Sequence, residues 1–324
     1  MLCFSITALI IIFTVPVITF EPVWIGNAFS MESFQTIVDN EVLMESCGIQ
    51  QESKIKNFPW AVSFTVDGVN RLGGSIISPY HIITAAHGFI TTIGSRGNLC
   101  ENKNWKKPNS SIYRSIKFLR DTRKVAYGGT CIRGHTDKYP NDPRCKKSDV
   151  IHNKVRAVLV DGEFASSNCL KGHDWAIVEV EKRIHFSENV RPICLPRPNM
   201  YYTKSLAVPG WGRSYIFNES GPLIHEIPMR IDRDCKRPWS DRLPADADDF
   251  ICATSMNVSN YSAPRTCHGD SGGGLEYRDD NYGRAFLIAI TSFGTRGCPS
   301  NMLARFTRVD MYLNLICNYT GVCY

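Results

Sequence analysis

Short apolar runs broken by turn residues, not long helical stripes, dominate this chain from Phe58 onward. WAVSFTV (60–66), GGSIIS (73–78) and HIITAAH (81–87) follow one another, with turn residues between them such as DGVN at 67–70. DWAIVEV (174–180), AFLIAITSFG (285–294) and LARFTRV (303–309) read as further strands. Their β-branched and aromatic side chains suit a pleated, half-buried surface. MYLNLIC (311–317) instead places apolar residues at helical spacing and predicts a terminal helix. Residues 21–46 carry no periodic pattern and are expected to form a leader or propeptide. Many short strands and one late helix predict an all-β sandwich or barrel architecture.

Composition supports a buried core. Apolar residues make up 43% of the chain and charged ones 21%, the balance of a globular protein. The length of 324 residues allows one large domain or two moderate ones, and no internal repeat is visible. Residues 2–20 are uncharged and mostly apolar, which predicts a secretory signal peptide over 1–20 with its hydrophobic core at Ala8 to Val15. A signal anchor is the competing reading, and Pro16 and the polar positions weigh against a span. No later segment is long and apolar enough for a span, so no membrane association is expected after signal removal.

The cysteines agree with secretion. Of thirteen, Cys3 leaves with the signal, and the remaining even number predicts a disulfide framework. No CxxC…CxxC spacing suggests structural zinc, and no metal or other cofactor is expected. Sequons at Asn109, Asn218, Asn257, Asn260 and Asn318 fit a glycosylated extracellular protein.

The net charge of +6 is unevenly spread. Glu101 to Val160 holds fifteen Lys or Arg against five acids, a local balance of +10, leaving −4 for the rest. Such a stretch either steers an acidic ligand, a sulfated glycan for example, or forms a solvated surface insertion. A nucleic acid is not expected as a partner.

Three short stretches carry chemistry: TAAHG with His87, HDWAIVEV with Asp174, and HGDSGGGL with Ser271. Amide hydrolysis needs a nucleophile stronger than a neutral hydroxyl. A histidine can take the serine proton and return it to the leaving amine, and a buried carboxylate can hold the histidine tautomer and stabilise the imidazolium. The glycines let the backbone turn sharply and offer the N–H groups of Gly269 and Ser271 to a developing oxyanion. Each motif alone is weak, and their conjunction in this order is specific.

With these motifs, the chain resembles the trypsin/chymotrypsin-like serine proteases, and in particular the divergent trypsin-like proteins of nematodes. The likeness runs from about Cys47 to Thr320, and the region 88–173 matches poorly. Pro59-Trp60-Ala61-Val62, Gly73-Gly74-Ser75 and Pro209-Gly210-Trp211-Gly212 are similar to family segments. Ser292-Phe293-Gly294 resembles the segment that pairs with the substrate backbone. The resemblance implies two antiparallel six-stranded β-barrels with a C-terminal helix and an active-site cleft between them. The protease domain would span 47–324, with a long insertion at about 95–170.

It also implies disulfides Cys47–Cys194, Cys235–Cys252 and Cys267–Cys298. Two family bridges are absent, with Leu72 and Gly88 at one and Leu206 and Tyr277 at the other. Cys317–Cys323 is expected as a local loop, and Cys100, Cys131, Cys145 and Cys169 as staples of the insertion. The family's Ile-Val-Gly-Gly segment, whose freed amine pairs with the aspartate before the serine, is missing. Here that aspartate is Asp270, and the basic–Ile junction Lys54-Ile55 lies only four residues before Pro59.

The residue six before the family's serine lies at the base of the primary specificity pocket. Here it is Arg265, the opposite of the acidic residue that selects Lys or Arg. Ala304 stands where the family has a pocket-wall glycine. Arg265 either holds an acidic substrate side chain or fills the pocket. Two functions follow. One is a secreted serine endopeptidase that is not trypsin-like in specificity. The other is a protease-fold binding protein with an intact triad and no competent oxyanion hole.

Overall fold

The computed structural model describes residues 21–29, 40–50, 58–90, 113–134, 145–167, 171–203, 205–213, 221–232, 235, 247–260, 262–279, 283–295 and 297–323. The signal segment, Lys54-Ile55, Asn109, Asn218, Cys100 and Cys169 lie outside them.

The chain builds two antiparallel sheets. The N-terminal one contains β1 (Val23–Ile25), β2 (Ala61–Val66), β3 (Val69–Ile76), β4 (His81–Thr84), β5 (Lys124–Tyr127), β6 (Ile151–Asn153), β7 (Val155–Val160) and β8 (Ala176–Val180), in the order β1-β7-β8-β4-β3-β2-β5-β6. Only Lys154 separates β6 from β7, so Ile151–Val160 is in effect one bent strand. Its first part pairs with β5 and its second with β8, which closes the order into a ring of six with β1 added outside. The C-terminal sheet is a closed barrel of β9 (Ser205–Gly210), β10 (His225–Asp232), β11 (Phe250–Ser255), β12 (Gly274–Asp279), β13 (Arg284–Gly294) and β14 (Ala304–Arg308).

Alternation fills each barrel. Val62, Phe64, Ile82, Val125, Val158 and Ile177 belong to the first core. Val208, Ile227, Leu275, Ala289 and Phe306 belong to the second. The short helices are α1 (Asn40–Ser46), α2 (Ile116–Thr122), α3 (Gly162–Ser166) and α4 (Leu313–Thr320). Ser115 caps α2 by accepting the Phe118 N–H at 3.2 Å.

Three expectations need correction. The basic stretch was expected as an insertion, yet β5, β6 and β7 lie within it. Its apolar positions, such as Val125, Val155 and Val158, are buried, while Lys124 and Lys154 stay exposed, so a high mean charge hid a strand pattern. Residues 21–46 were expected to lack periodic structure, but Val23–Ile25 pairs with β7 and α1 buries Leu43. Three paired residues and a seven-residue helix are too short to show a period in sequence. The terminal helix begins two residues later than expected, because Asp310–Tyr312 forms a 3₁₀ turn first. It ends at Gly321, whose φ of 72° is the left-handed cap that glycine adopts without a Cβ penalty.

Disulfides tie the elements together. Cys47–Cys194, Cys235–Cys252, Cys267–Cys298 and Cys317–Cys323 are bonded as the resemblance or the local spacing implied. Cys131–Cys145 closes a loop between β5 and β6. At one of the absent bridges, Leu72 fills the space: a Cβ on Gly88 would stand 2.5 Å from its Cδ2.

Candidate active site

Antiparallel pairing brings the first two site residues together. Thr84 at the end of β4 lies opposite Ala176 at the start of β8. His87 follows Thr84 in a 3₁₀ turn, and Asp174 precedes Ala176 by two residues. The His87 Nδ1 lies 2.8 Å from Asp174 Oδ2, and the His87 backbone N–H donates to Asp174 Oδ1 at 2.8 Å. The carboxylate thus grips both the ring and its backbone. Ser292 Oγ adds a third donor, to Oδ2. Ser292 is the extra residue of a β-bulge between Thr291 and Phe293, which turns its side chain toward Asp174.

Electrostatics follow from this geometry. Asp174 is fully buried. Burial alone would raise its pKa, but the His87 charge and the hydrogen bonds from His87 and Ser292 hold it below the ordinary carboxylate range. Burial disfavours the His87 imidazolium, yet the Asp174 charge and shared hydrogen bond raise its pKa on balance, with Arg123 opposing.

Ser271 sits in a tight loop latched to both barrels. Its carbonyl accepts the Gly73 N–H at 2.6 Å. The Gly272 N–H donates to Thr291 O at 2.7 Å, and the Thr291 N–H donates to Gly273 O at 2.8 Å. Gly272 has φ +80°, and a Cβ there would lie 2.2 Å from Thr84 Oγ1 and 3.1 Å from Ala85 N. That close approach sets the serine loop against the turn carrying His87. Among the described residues the Ser271 hydroxyl has no hydrogen-bond partner.

Gly269 has φ +99°. Neither its N–H nor that of Ser271 is engaged in a hydrogen bond among the described residues. Its carbonyl accepts from Asn70 Nδ2 at 2.7 Å, and Asn70 Oδ1 accepts from Ser63 Oγ at 2.7 Å. Asn70 and Ser63 are both buried polar residues of the first barrel. Sequence reasoning passed over them, and the only signal was a polar residue at an apolar position in each of two adjacent strands.

Asp270 is buried. It accepts the Gly212 N–H at 2.8 Å and the Cys267 N–H at 2.9 Å, and burial pushes its pKa up to about 7. No cation faces it among the described residues. A Cβ on Gly212 would lie 2.2 Å from this carboxyl, which explains the second glycine of Gly-Trp-Gly.

The other predicted residues are placed as follows. Gly294 pairs with Ala304, and the Phe293 ring meets Phe250 edge-on at 5.4 Å. Arg265 is partly buried, its Nε without a hydrogen-bond partner among the described residues. Asn257, Asn260 and Asn318 are exposed. Among the described residues, Cys267, His268 and Cys298 form a group with metal-ligand atom types, but the disulfide removes the two thiolates.

The chain is similar in sequence to known proteins over most of its length. A CLIP domain-containing serine protease B8 of Anopheles gambiae is 30% identical over 308 residues, covering 86% of this chain and 69% of that protein. Transmembrane protease serine 11A of Homo sapiens is 28% identical over 274 residues, covering 82% of this chain and 53% of that protein. Trypsin-like protease try-5 of Caenorhabditis elegans is 26% identical over 260 residues, covering 73% of each. The family model described as Trypsin matches residues 118–316, a span that contains Asp174 and Ser271 and begins after His87. With well over half of its length matched in this way, the chain belongs to the trypsin family.

Proposed function

We propose that the chain is a secreted serine endopeptidase that hydrolyses peptide bonds through Ser271, His87 and Asp174. The observation that carries this reading is the His87–Asp174 pair, closed by Ser292 and set beside the serine loop. His87 takes the Ser271 proton as Oγ attacks the scissile carbonyl. The Gly269 and Ser271 N–H groups receive the oxyanion, with Asn70 and Ser63 holding the Gly269 peptide in place. His87 then protonates the leaving amine, and water repeats the sequence on the acyl-enzyme. Substrate backbone runs along Ser292, Phe293 and Gly294, and Arg265 with Ala304 shapes the pocket before the scissile bond. Arg265 repels basic side chains and pairs with carboxylates. The exposed asparagines carry glycans, and the basic residues of the stretch Glu101 to Val160 bind an acidic ligand.

A fluorophosphonate probe tests the core of this reading. Labelling of the parent, and none of Ser271→Ala, supports it. The alanine variant should lose on the order of 10⁶ in kcat. A variant that cleaves a general peptide library as fast as the parent would refute the assignment.

A second reading rests on Asp270, which is served by two backbone amides and by no amine among the described residues. In that reading the protein binds polypeptides without cleaving them. Substrate binding by a parent that takes no probe would establish it.

A further inference from the structure

We propose that His173 is a positioning residue for Asp174: held as an imidazolium between Asp161 and Glu163, it fixes the backbone turn that aims the Asp174 carboxylate at His87. The inference rests on the triad reading above.

Both ring nitrogens of His173 face carboxylates. Nδ1 lies 2.9 Å from Asp161 Oδ2, and Nε2 lies 2.9 Å from Glu163 Oε2. A neutral imidazole has one N–H and can serve one of these acceptors. Serving both takes a proton on each nitrogen, which makes the ring a cation. Asp161 directly follows β7 and Glu163 lies in the first turn of α3, so the ring is clamped just beyond the end of the strand that pairs with β8.

The backbone beneath the ring is unusual. Gly172 and His173 have φ values of +76° and +62°, two consecutive left-handed residues immediately before Asp174. The His173 N–H donates to Asp249 Oδ2 at 2.7 Å, and Tyr312 OH donates to the same oxygen at 2.7 Å. A Cβ on Gly172 would lie 1.8 Å from Asp249 Oδ1, so the turn is pressed onto a carboxylate contributed by the other barrel. A non-glycine residue holds this conformation only where its surroundings over-determine it. Here the side chain is tied to the first barrel and the N–H to the second.

The charges around the ring explain why the proton matters. Asp161, Glu163 and Asp249 act on it directly, and Asp174 acts on Asp249. Tyr312 meets the ring edge at 5.7 Å, Tyr113 lies near Asp161, and Arg308, paired with Asp310, lies near Asp249. Burial disfavours the cation, but Asp161, Glu163 and Asp249 together raise the His173 pKa above its ordinary value of 6.5. A raised folded-state value places the clamp's contribution fully below the unfolded pKa and removes it as pH rises through the folded one. The acid limb of activity then belongs to His87 and an alkaline limb to His173.

The experiment uses the full chain, with His173→Ala and His173→Asn, the latter tolerating a left-handed backbone. In the Ser271→Ala background, ¹³C-histidine NMR should give His173 a pKa above 6.5, and the downfield His87 Nδ1 proton should weaken in both His173 variants. In active protein, kcat should fall by roughly 10- to 100-fold with KM little changed, and the parent's alkaline limb should disappear in both variants. A His173 pKa at or below the ordinary value, or variants that retain the parent's kcat and alkaline limb, would overturn the proposal. A parent that takes no fluorophosphonate would sink the peptidase reading instead, and the two NMR signals would still decide the clamp.

Discussion

Glu276 is a carboxyl group removed almost wholly from water, with the Trp60 indole N–H as its hydrogen-bond donor. Burial pushes its pKa up to about 8, from an ordinary 4.5. The folded state therefore binds a proton that the unfolded state releases, and stability falls as pH rises from 4.5 through about 8. Glu276→Gln keeps an acceptor for Trp60 and removes the titration. Thermal melts of Ser271→Ala with and without this change, from pH 5 to 9, should show the slope flatten. Each unit of slope removed corresponds to about 1.4 kcal/mol, or about 2–4 °C. An unchanged slope would mean Glu276 stays ionised in the fold. Arg265 makes the second residue-scale prediction. The parent should not cleave after Lys or Arg, and Arg265→Asp should gain such cleavage in a peptide library varied at that position. Cleavage after Lys or Arg by the parent would defeat the charge argument.

At the scale of elements, the serine loop depends on a glycine that faces another strand. Gly272→Ala places a methyl group 2.2 Å from Thr84 Oγ1 in a backbone with φ +80°. Strain and overpacking together should cost about 2–5 kcal/mol. Urea unfolding of Ser271→Ala with and without this change measures the difference. The strand β1 depends on a charge pair. Phe29 N–H donates to both Glu179 oxygens, and Arg156 Nε lies 3.0 Å from Glu179 while its guanidinium stacks over the Phe29 ring at 3.5 Å. The Glu179 side chain has no exposed surface, and burial pushes its pKa up to about 7 despite the Phe29 N–H and Arg156, so above that pH Arg156→Ala strands a buried carboxylate and should cost about 3 kcal/mol. Arg156→Ala with unchanged stability would show that Glu179 takes up a proton without penalty.

For the molecule as a whole, charge distribution sets how it meets partners. Lys146 and Lys147 are exposed on the segment joining β5 to β6, and Lys154 is exposed at the bend between β6 and β7. A heparin column should retain the protein at low salt and release it as ionic strength shortens the screening length to about 10 Å near 0.1 M. Reversing these three lysines to Glu should elute the protein at lower salt. Unchanged retention would leave them as ordinary solvated charge.

The stretches around His87, Asp174 and Ser271, the turn glycines and the local Cys317–Cys323 spacing were legible in the sequence because each is a local chemical signal. A serine in a Gly-Asp-Ser-Gly run, or an aspartate opening an apolar strand, needs no distant partner to be read. The family's cysteine positions gave three of the pairings, because those side chains sit where the resemblance placed them. The bent strand 151–160 was not legible, since its basic residues masked an alternation spread over ten positions. Asn70 supporting Gly269, the bulge that turns Ser292 onto Asp174, and the carboxylates around His173 were decided only by tertiary structure. Each joins residues between 10 and 199 positions apart. Hydrophobic alternation specifies which face of a strand turns inward, but not which polar atom of another strand will meet it there. That depends on register, bulges and barrel closure, which are properties of the packed chain.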